Sequence, residues 1–222
     1  MMRDVRVVTA LVVFMLAGAA VSHAQTTTEP MWYGEFTIAA TLGHKSDKAV
    51  GGEAGMRITP DLDVFVEAGH MGNVGTTDLE ARAQIVADFI GGTVGSTAHK
   101  VNFGVFGVRY HLPMIKPIGK WHPYLAFGAG LARVKPEVTF AVNGTDVTGR
   151  LPEFGVQLGS DLTDSLNKAM IVVGGGATMD FKTRYLVDLS YRYGHILGKT
   201  GDIENDVAIK TQRVQIGVGV RF

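Results

Sequence analysis

The sequence predicts an all-β protein: an eight-stranded antiparallel up-and-down transmembrane β-barrel that follows an N-terminal signal peptide. Eight segments alternate apolar and polar residues with the two-residue period of a half-buried strand. Short turns and long polar loops alternate between these segments, which is typical of barrels that span a membrane. The last segment, TQRVQIGVGVRF, keeps one apolar face up to its final residue, and such a face suits lipid.

The first 24 residues have the composition of a secretory signal peptide. A short basic start precedes the apolar run VVTALVVFMLAGAAV, and small residues at Ser22 and Ala24 predict cleavage between Ala24 and Gln25. The run is shorter than the ~20 residues of a membrane-spanning helix, although a retained N-terminal anchor is the alternative. The predicted domains are therefore a signal peptide at residues 1–24 and a barrel at residues 25–222.

The composition excludes several classes of function. Basic and acidic residues number 21 each, and removing the signal peptide leaves 19 against 20, a net charge of −1. This balance predicts no nucleic-acid partner. The chain has no cysteine, so disulfide frameworks and thiolate metal sites are excluded. Its 29 glycines lie inside apolar segments, where they predict bends and close backbone approach in a tightly curved sheet.

The first four predicted strands occupy residues 35–42, 51–58, 62–68 and 101–112. The first three alternate without interruption, with an apolar face opposite a polar or small one. In the fourth strand, VNFGVFGVRYHL, the apolar residues change parity near Gly104, which predicts a β-bulge at that position.

The last four predicted strands are YLAFGAGLAR, IVVGGGATMDF, YLVDLSYRY and the closing segment. The alternation is clearest in YLVDLSYRY, where three tyrosines, a valine and a leucine share the face opposite Asp188, Ser190 and Arg192. One long loop contains TTDLEARAQIVADFIGG, in which Thr77 and Glu80 have the spacing of a capping box. A short surface helix and an extension of the neighbouring strands both fit this segment.

The two rims of the predicted barrel differ. Short turns near Pro60, Pro117 and Lys182 define one rim, and the long loops of the other rim are predicted at residues 44–48, 73–99, 135–168 and 199–209. Aromatic rings settle where lipid tails meet headgroups, so aromatic residues beside the short turns indicate a membrane boundary. This predicted aromatic rim consists of Trp32, Tyr33, Tyr110, Tyr124, Phe181, Tyr185 and Phe222.

Charged residues on the polar faces are predicted to point into the lumen. An isolated charge there would be costly to desolvate, so acids and bases are expected to meet in paired, hydrogen-bonded arrays that fill the lumen. The predicted network consists of six acids, Glu35, Glu53, Asp63, Glu67, Asp180 and Asp188, and five bases, Arg57, Arg109, Arg192, Arg213 and Arg221.

With its signal peptide, eight alternating segments and terminal VQIGVGVRF, the chain resembles the small outer-membrane β-barrel family of the OmpA, OmpX and opacity-protein type. The resemblance implies a location in the outer membrane, surrounded by its lipid. It also implies that periplasmic chaperones and the barrel-assembly machinery act on the chain during biogenesis. Carried over to this sequence, the assembly signal would be Val214, Ile216, Val218, Val220 and Phe222.

Enzymatic motifs are weak in this chain. GHILGKT lacks the first glycine of a phosphate-binding loop, and the histidines are too dispersed for a metal site, so neither cofactor nor metal is predicted. His195 lies close in sequence to Ser190 and Asp188, which raises the question of a catalytic triad, but the pattern does not assign His195 to the lumen face or to the outer face. The favoured function is a non-enzymatic barrel that stabilises the envelope or presents its loops for surface contact. A small porin-like channel, a lipid-modifying enzyme and a soluble periplasmic β-sandwich are the alternatives.

Overall fold

The computed structural model describes residues 32–43, 45–113, 120–159, 162, 164–181, 184–198 and 208–222. The predicted signal peptide and its cleavage position between Ala24 and Gln25 lie outside the described residues. So do Pro117, Lys182 and most of the last predicted loop.

Eight long antiparallel strands form a closed ring, in which each strand pairs with the next and the last pairs with the first. A two-residue strand, β6 (Thr145–Asp146), extends the sheet on the edge of β5. The closed ring confirms the predicted eight-stranded antiparallel barrel. Its strands are β1 (Trp32–Leu42), β2 (Lys48–Thr59), β3 (Leu62–Met71), β4 (Thr93–His111), β5 (Trp121–Val142), β7 (Leu166–Phe181), β8 (Tyr185–Ile196) and β9 (Ile209–Arg221).

Closure between β1 and β9 removes the free edges of the sheet. The register runs from Tyr33 opposite Arg221 to Leu42 opposite Gln212. Beyond this register, the Trp32 amide donates to the Phe222 carbonyl at 3.0 Å, and the Phe222 amide donates to the Trp32 carbonyl at 2.9 Å. Because lipid offers no hydrogen bonds to backbone, a sheet can span a membrane only when its strands close in this way.

The tight curvature depends on inward glycines, of which Gly130 is the clearest case. A Cβ at this position of β5 would collide with the carbonyl oxygen of Gly104 on β4. Only glycine allows the two backbones to approach so closely.

The prediction of a β-bulge near Gly104 is wrong. β4 pairs with β3 and β5 in an unbroken register through this residue, and the register shift of the strand lies between Val94 and Ser96. The apolar residues change parity in the sequence because Val101, Phe103 and Val105 point into the barrel, whereas the apolar residues after them face outward.

The loop-side rim contains a second folded layer. Helix α1 (Thr77–Phe89) packs against the ends of β4 and β5, which continue far beyond the other strands. The predicted surface helix is therefore confirmed, and the alternative, an extension of the neighbouring strands, is wrong for this segment because the next strand begins only at Thr93. The N-cap residue of the helix is Thr76, whose hydroxyl accepts a hydrogen bond from the amide of Leu79 at 3.4 Å. The capping box predicted from Thr77 and Glu80 is therefore wrong, because the helix begins at Thr77 and its N-cap lies one residue earlier.

A small apolar core holds this layer together, so much of the two longest predicted loops is folded. A 3₁₀ helix at Thr148–Phe154 also belongs to the layer. The buried members of this core are Leu79, Ala83, Ala87, Ile90, Val138, Phe140, Val147, Leu151 and Leu162. Nowhere in the described segments is a helix long and apolar enough to cross a membrane.

Candidate functional site: the charged lumen of the barrel

The structure places all eleven residues of the predicted charge network on inward positions of their strands. Nine of these side chains are buried, and Arg57 and Asp180 are partly exposed near the turn-side rim. The contacts divide the set into a central cluster and two pairs at the turn-side rim.

The central cluster consists of an acidic wall and a basic wall that face each other. Glu35, Glu53 and Glu67 are direct cross-strand neighbours on β1, β2 and β3. Arg192 and Arg213 are direct neighbours on β8 and β9. Like charges directly opposite in a sheet repel, so each wall alone would weaken its own strand pairing. Facing each other, the two walls offset that repulsion.

Three guanidiniums bind the acidic wall across the lumen, two from the basic wall and that of Arg109 from β4. Arg109 Nη2 donates to Glu53 Oε1 at 2.6 Å, and Arg213 Nη1 donates to Glu67 Oε1 at 2.8 Å. The contact between Arg192 Nη2 and Glu53 Oε2 is longer, at 3.4 Å. Each carboxylate is held by an arginine from a distant strand, and arginine suits this role because its planar fork donates in several directions.

Arg109 is the centre of this cluster. Its Nη2 also lies 3.4 Å from Glu35 Oε1 and 3.7 Å from Asp188 Oδ2, so one cation from β4 meets carboxylates from β1, β2 and β8. The side chain is completely buried. It therefore crosses the interior of the barrel and closes the space between opposite walls.

Two tyrosines belong to this cluster, and their predicted position at the outer rim is wrong. The hydroxyl of Tyr33 donates to Glu53 and that of Tyr124 donates to Asp188, each at 2.6 Å. The guanidinium carbon of Arg109 lies 4.3 Å from the Tyr124 ring centroid, within cation–π range. Burial of these rings is favourable because both the hydroxyl and the ring face have charged partners. The other five predicted rim aromatics are exposed: Trp32, Tyr110, Phe181, Tyr185 and Phe222.

At the turn-side rim, Asp63 lies between two bases. Its carboxylate receives Arg57 Nε at 3.3 Å and contacts His111 Nε2 at 2.8 Å. On the other side of this rim, Arg221 Nε donates to Asp180 Oδ1 at 2.7 Å. His111 is absent from the predicted network, although its position two residues after Arg109 places it on the same inward face.

Toward the loop-side rim most inward side chains are apolar, although Thr41, Lys168 and Thr211 are also buried there, and this apolar layer was not predicted from the sequence. The guanidinium carbon of Arg213 lies 4.4 Å from the Phe103 ring centroid, so the charged and apolar layers are in direct contact. The charged layer thus occupies the middle and turn-side part of the lumen, and the apolar layer occupies the loop-side part. The apolar layer includes Met71, Val101, Phe103, Val105, Ala132, Val134, Met170, Val172, Ile196 and Ile209.

The suspected arrangement of Asp188, Ser190 and His195 does not form a catalytic site. Asp188 and Ser190 are buried inside the barrel, whereas His195 lies on the opposite face of β8. A proton could not pass between the histidine and the hydroxyl across the sheet. Across the described residues, no cluster of three His, Cys, Asp or Glu side chains could hold a metal ion.

Comparisons with known proteins agree with this architecture. The sequence matches no curated protein significantly. Neisserial surface protein A has a similar structure, with 18% identity over 87% of this chain and 97% of its own, and a TM-score of 0.51. The N-terminal barrel domain of Pseudomonas aeruginosa OprF is 16% identical over 86% and 97% of the two chains, with a TM-score of 0.46. OprG of the same organism is 12% identical over 87% and 94%, with a TM-score of 0.45.

The family of the chain follows from its sequence. The family model described as "Outer membrane protein beta-barrel domain" matches residues 9–222. The match spans every strand of the closed ring, and the predicted location in the outer membrane is confirmed. The chain belongs to the outer membrane protein β-barrel domain family.

Proposed function

We propose that this protein is a non-enzymatic barrel with a sealed lumen, which stabilises the outer membrane or presents its loop-side layer for surface contact. The observation that supports the proposal most is Arg109, which bridges carboxylates of three strands across the interior. A pore would need a continuous aqueous path past this side chain. The sealed interior leaves the outer wall and the loop-side layer as the surfaces on which the protein can act.

The loop-side layer has the character of a rigid binding platform. It has its own buried core, and an ion pair between Lys45 and Glu80 at 2.5 Å ties α1 to the loop after β1. On the outer side of α1, Ile85 and Phe89 are exposed by 70% and 72%. Such exposed apolar side chains are typical of contact surfaces rather than of solvated loops.

Protease treatment of intact cells tests the proposed orientation. Outer-membrane barrels have short periplasmic turns and long extracellular loops, so trypsin should cut at exposed Arg150 in the loop-side layer and spare exposed Lys120 at a turn. Mass spectrometry of the released peptides identifies the sites, and cells with a permeabilised outer membrane provide the control in which Lys120 is also cut. Cleavage at Lys120 in intact cells would reverse the orientation.

We also propose that the closing strand is read as an assembly signal. Val214, Ile216, Val218 and Val220 alternate on the exposed outer face of β9, and the side chain of Phe222 is 77% exposed at its end. A receptor could therefore contact this row before lipid covers it.

Deleting Phe222 should lower the amount of folded protein in the membrane much more than total synthesis, because the damage affects recognition during insertion. Heat-modifiable migration in gels measures the folded fraction. Phe222→Tyr keeps an aromatic terminus and serves as the matched control, with assembly close to that of the parent. Equal assembly of the deletion variant and the parent would remove the proposed signal.

A further inference from the structure

Four polar side chains form a continuous row on the outer wall of the barrel. His70 on β3 is paired in register with Asn102 on β4, Asn102 with Arg133 on β5, and Arg133 with Asn167 on β7. All four occupy outward positions of their strands, and His70 Nδ1 lies 2.8 Å from Asn102 Oδ1.

This row marks the loop-side boundary of the lipid-facing band. On β4 the outward positions between Asn102 and the rim aromatic Tyr110 hold only glycine, phenylalanine and valine. Eight residues of strand span roughly 27 Å, or about 20 Å of membrane depth at the usual barrel tilt. That depth approaches the apolar height of about 25 Å in outer-membrane barrels, so the row lies at the level of lipid headgroups.

Cations cluster at and directly above this row. Lys100 and Lys135 face each other on β4 and β5, two positions beyond Asn102 and Arg133. Glu137 binds both lysines, at 2.7 Å and 3.2 Å. Arg133 is exposed and forms no ion pair within the described parts of the chain. Three cations and one carboxylate leave two positive charges on this patch.

A depression lies on the lipid-facing wall directly below the row. Gly52, Ala68 and Gly104 are paired in register on β2, β3 and β4, and a Cβ at Gly104 would meet nothing within 4 Å. Larger exposed side chains border it, since Phe36 pairs with Gly52 and Leu131 pairs with Gly104. The depression is apolar and continuous with the headgroup level.

We propose that this wall binds one lipid of the surrounding leaflet whose phosphate-bearing headgroup has a net negative charge. Arg133 and Lys135 would bind the headgroup phosphate, Asn102 and Asn167 would donate hydrogen bonds, and an acyl chain would lie over the Gly104 depression. Guanidinium and ammonium groups are the usual protein partners of phosphate, and two uncompensated charges favour an anion. The site faces the bilayer at headgroup depth, so its occupant is a lipid and not a dissolved phosphate.

Retention of lipid by the purified full chain tests the proposal. The protein is reconstituted in phosphatidylcholine vesicles doped with diphosphoryl lipid A, extracted in mild detergent, and examined by native mass spectrometry. The parent should retain diphosphoryl lipid A, which is anionic, in preference to phosphatidylcholine, which is zwitterionic. The Arg133→Gln, Lys135→Gln double variant should lose roughly 10-fold or more in retention, since a basic residue near an anionic surface contributes about fivefold.

Matched variants separate the parts of the site. Lys210→Gln removes an exposed cation from β9, several strands away, and should retain lipid like the parent. Gly104→Leu fills the depression and should reduce retention of the acylated probe, whereas Gly34→Leu, another outward glycine with open space around it, should not. Heat-modifiable migration verifies that every variant is folded.

Three outcomes would overturn the proposal. The first is equal retention of both lipids by the parent, a result that does not depend on any variant folding. The second is equal loss in the double variant and in Lys210→Gln. The third is displacement of the lipid by inorganic phosphate at matched concentration, which would show that the headgroup anion alone is bound. An unaffected Gly104→Leu variant would remove the acyl-chain depression from the site.

Discussion

Replacing Arg109 with alanine is expected to destabilise the folded barrel by about 3–5 kcal/mol, the usual cost of breaking a buried ion pair. The variant loses the 2.6 Å bond to Glu53 and the nearby contacts with Glu35 and Asp188. Those three carboxylates would remain close together in a space that water enters poorly. The stacking of the guanidinium on Tyr124 is lost as well.

The free energy of unfolding, measured by urea titration in phospholipid vesicles, gives the size of this effect. Arg57→Ala is the matched control, because Arg57 contacts Asp63 near the turn-side rim and remains partly exposed, so its removal should cost clearly less. Adding Glu53→Gln to Arg109→Ala should recover part of the loss, since it removes a charge that has lost its main partner. An Arg109→Ala variant as stable as the parent would contradict the bridging role of this residue.

Placing arginine at Leu189 should cost about 2–4 kcal/mol, the value for a basic residue near the middle of the bilayer on the lipid face of a barrel. Leu189 is exposed on the outer face of β8, between Tyr185 at the aromatic rim and His195 near the other boundary. The same change at Tyr185 should cost only about 0–1 kcal/mol, because the charge then reaches the headgroups.

The pair of variants tests depth and facing together. The same urea titration measures both, and Leu189→Ala corrects for the lost apolar side chain. Equal costs at Leu189 and Tyr185 would show that the exposed apolar face of β8 is not set in lipid as the structure indicates.

Most of the fold could be predicted from the alternation of apolar and polar residues along the strands. A period of two assigns every residue to one face, and a slip of one residue would expose all the apolar side chains of a strand to the wrong side. Because this period fixes the face of every residue, eight strands and their inward and outward faces can be predicted without a structure. Alternation contains no information about which inward residues meet, and the bond between Arg213 and Glu67 crosses the lumen between residues 146 positions apart.

The errors have a common physical cause. The predicted faces rest on polar residues pointing inward and apolar residues facing lipid, but a narrow barrel must also fill its interior. Phe103 and its neighbours do so with apolar side chains, which appeared in the sequence as a change of parity at Gly104. Tyr33 and Tyr124 belong inside because the carboxylates beside them accept from their hydroxyls, and those partners lie on other strands.

The loop-side layer could be predicted only in part. Where β5 leaves the membrane, alternation continues but the apolar face changes sides. Arg133, Lys135 and Glu137 point outward, whereas Val134, Val138 and Phe140 point inward, because lipid no longer covers the outer face. The core between Leu79 on α1 and Phe140 on β5 joins segments 61 residues apart. A local pattern indicates the helix but not the surface against which it packs.

Ion conduction by the purified protein in planar lipid bilayers tests the sealed lumen most directly. If the charged cluster around Arg109 and the apolar layer around Phe103 seal the lumen as proposed, the parent should show no steady conductance above that of the bare bilayer. Folded, heat-modifiable protein must be verified in the same preparation. A stable open conductance from that folded parent would contradict the sealed barrel and favour a porin-like channel.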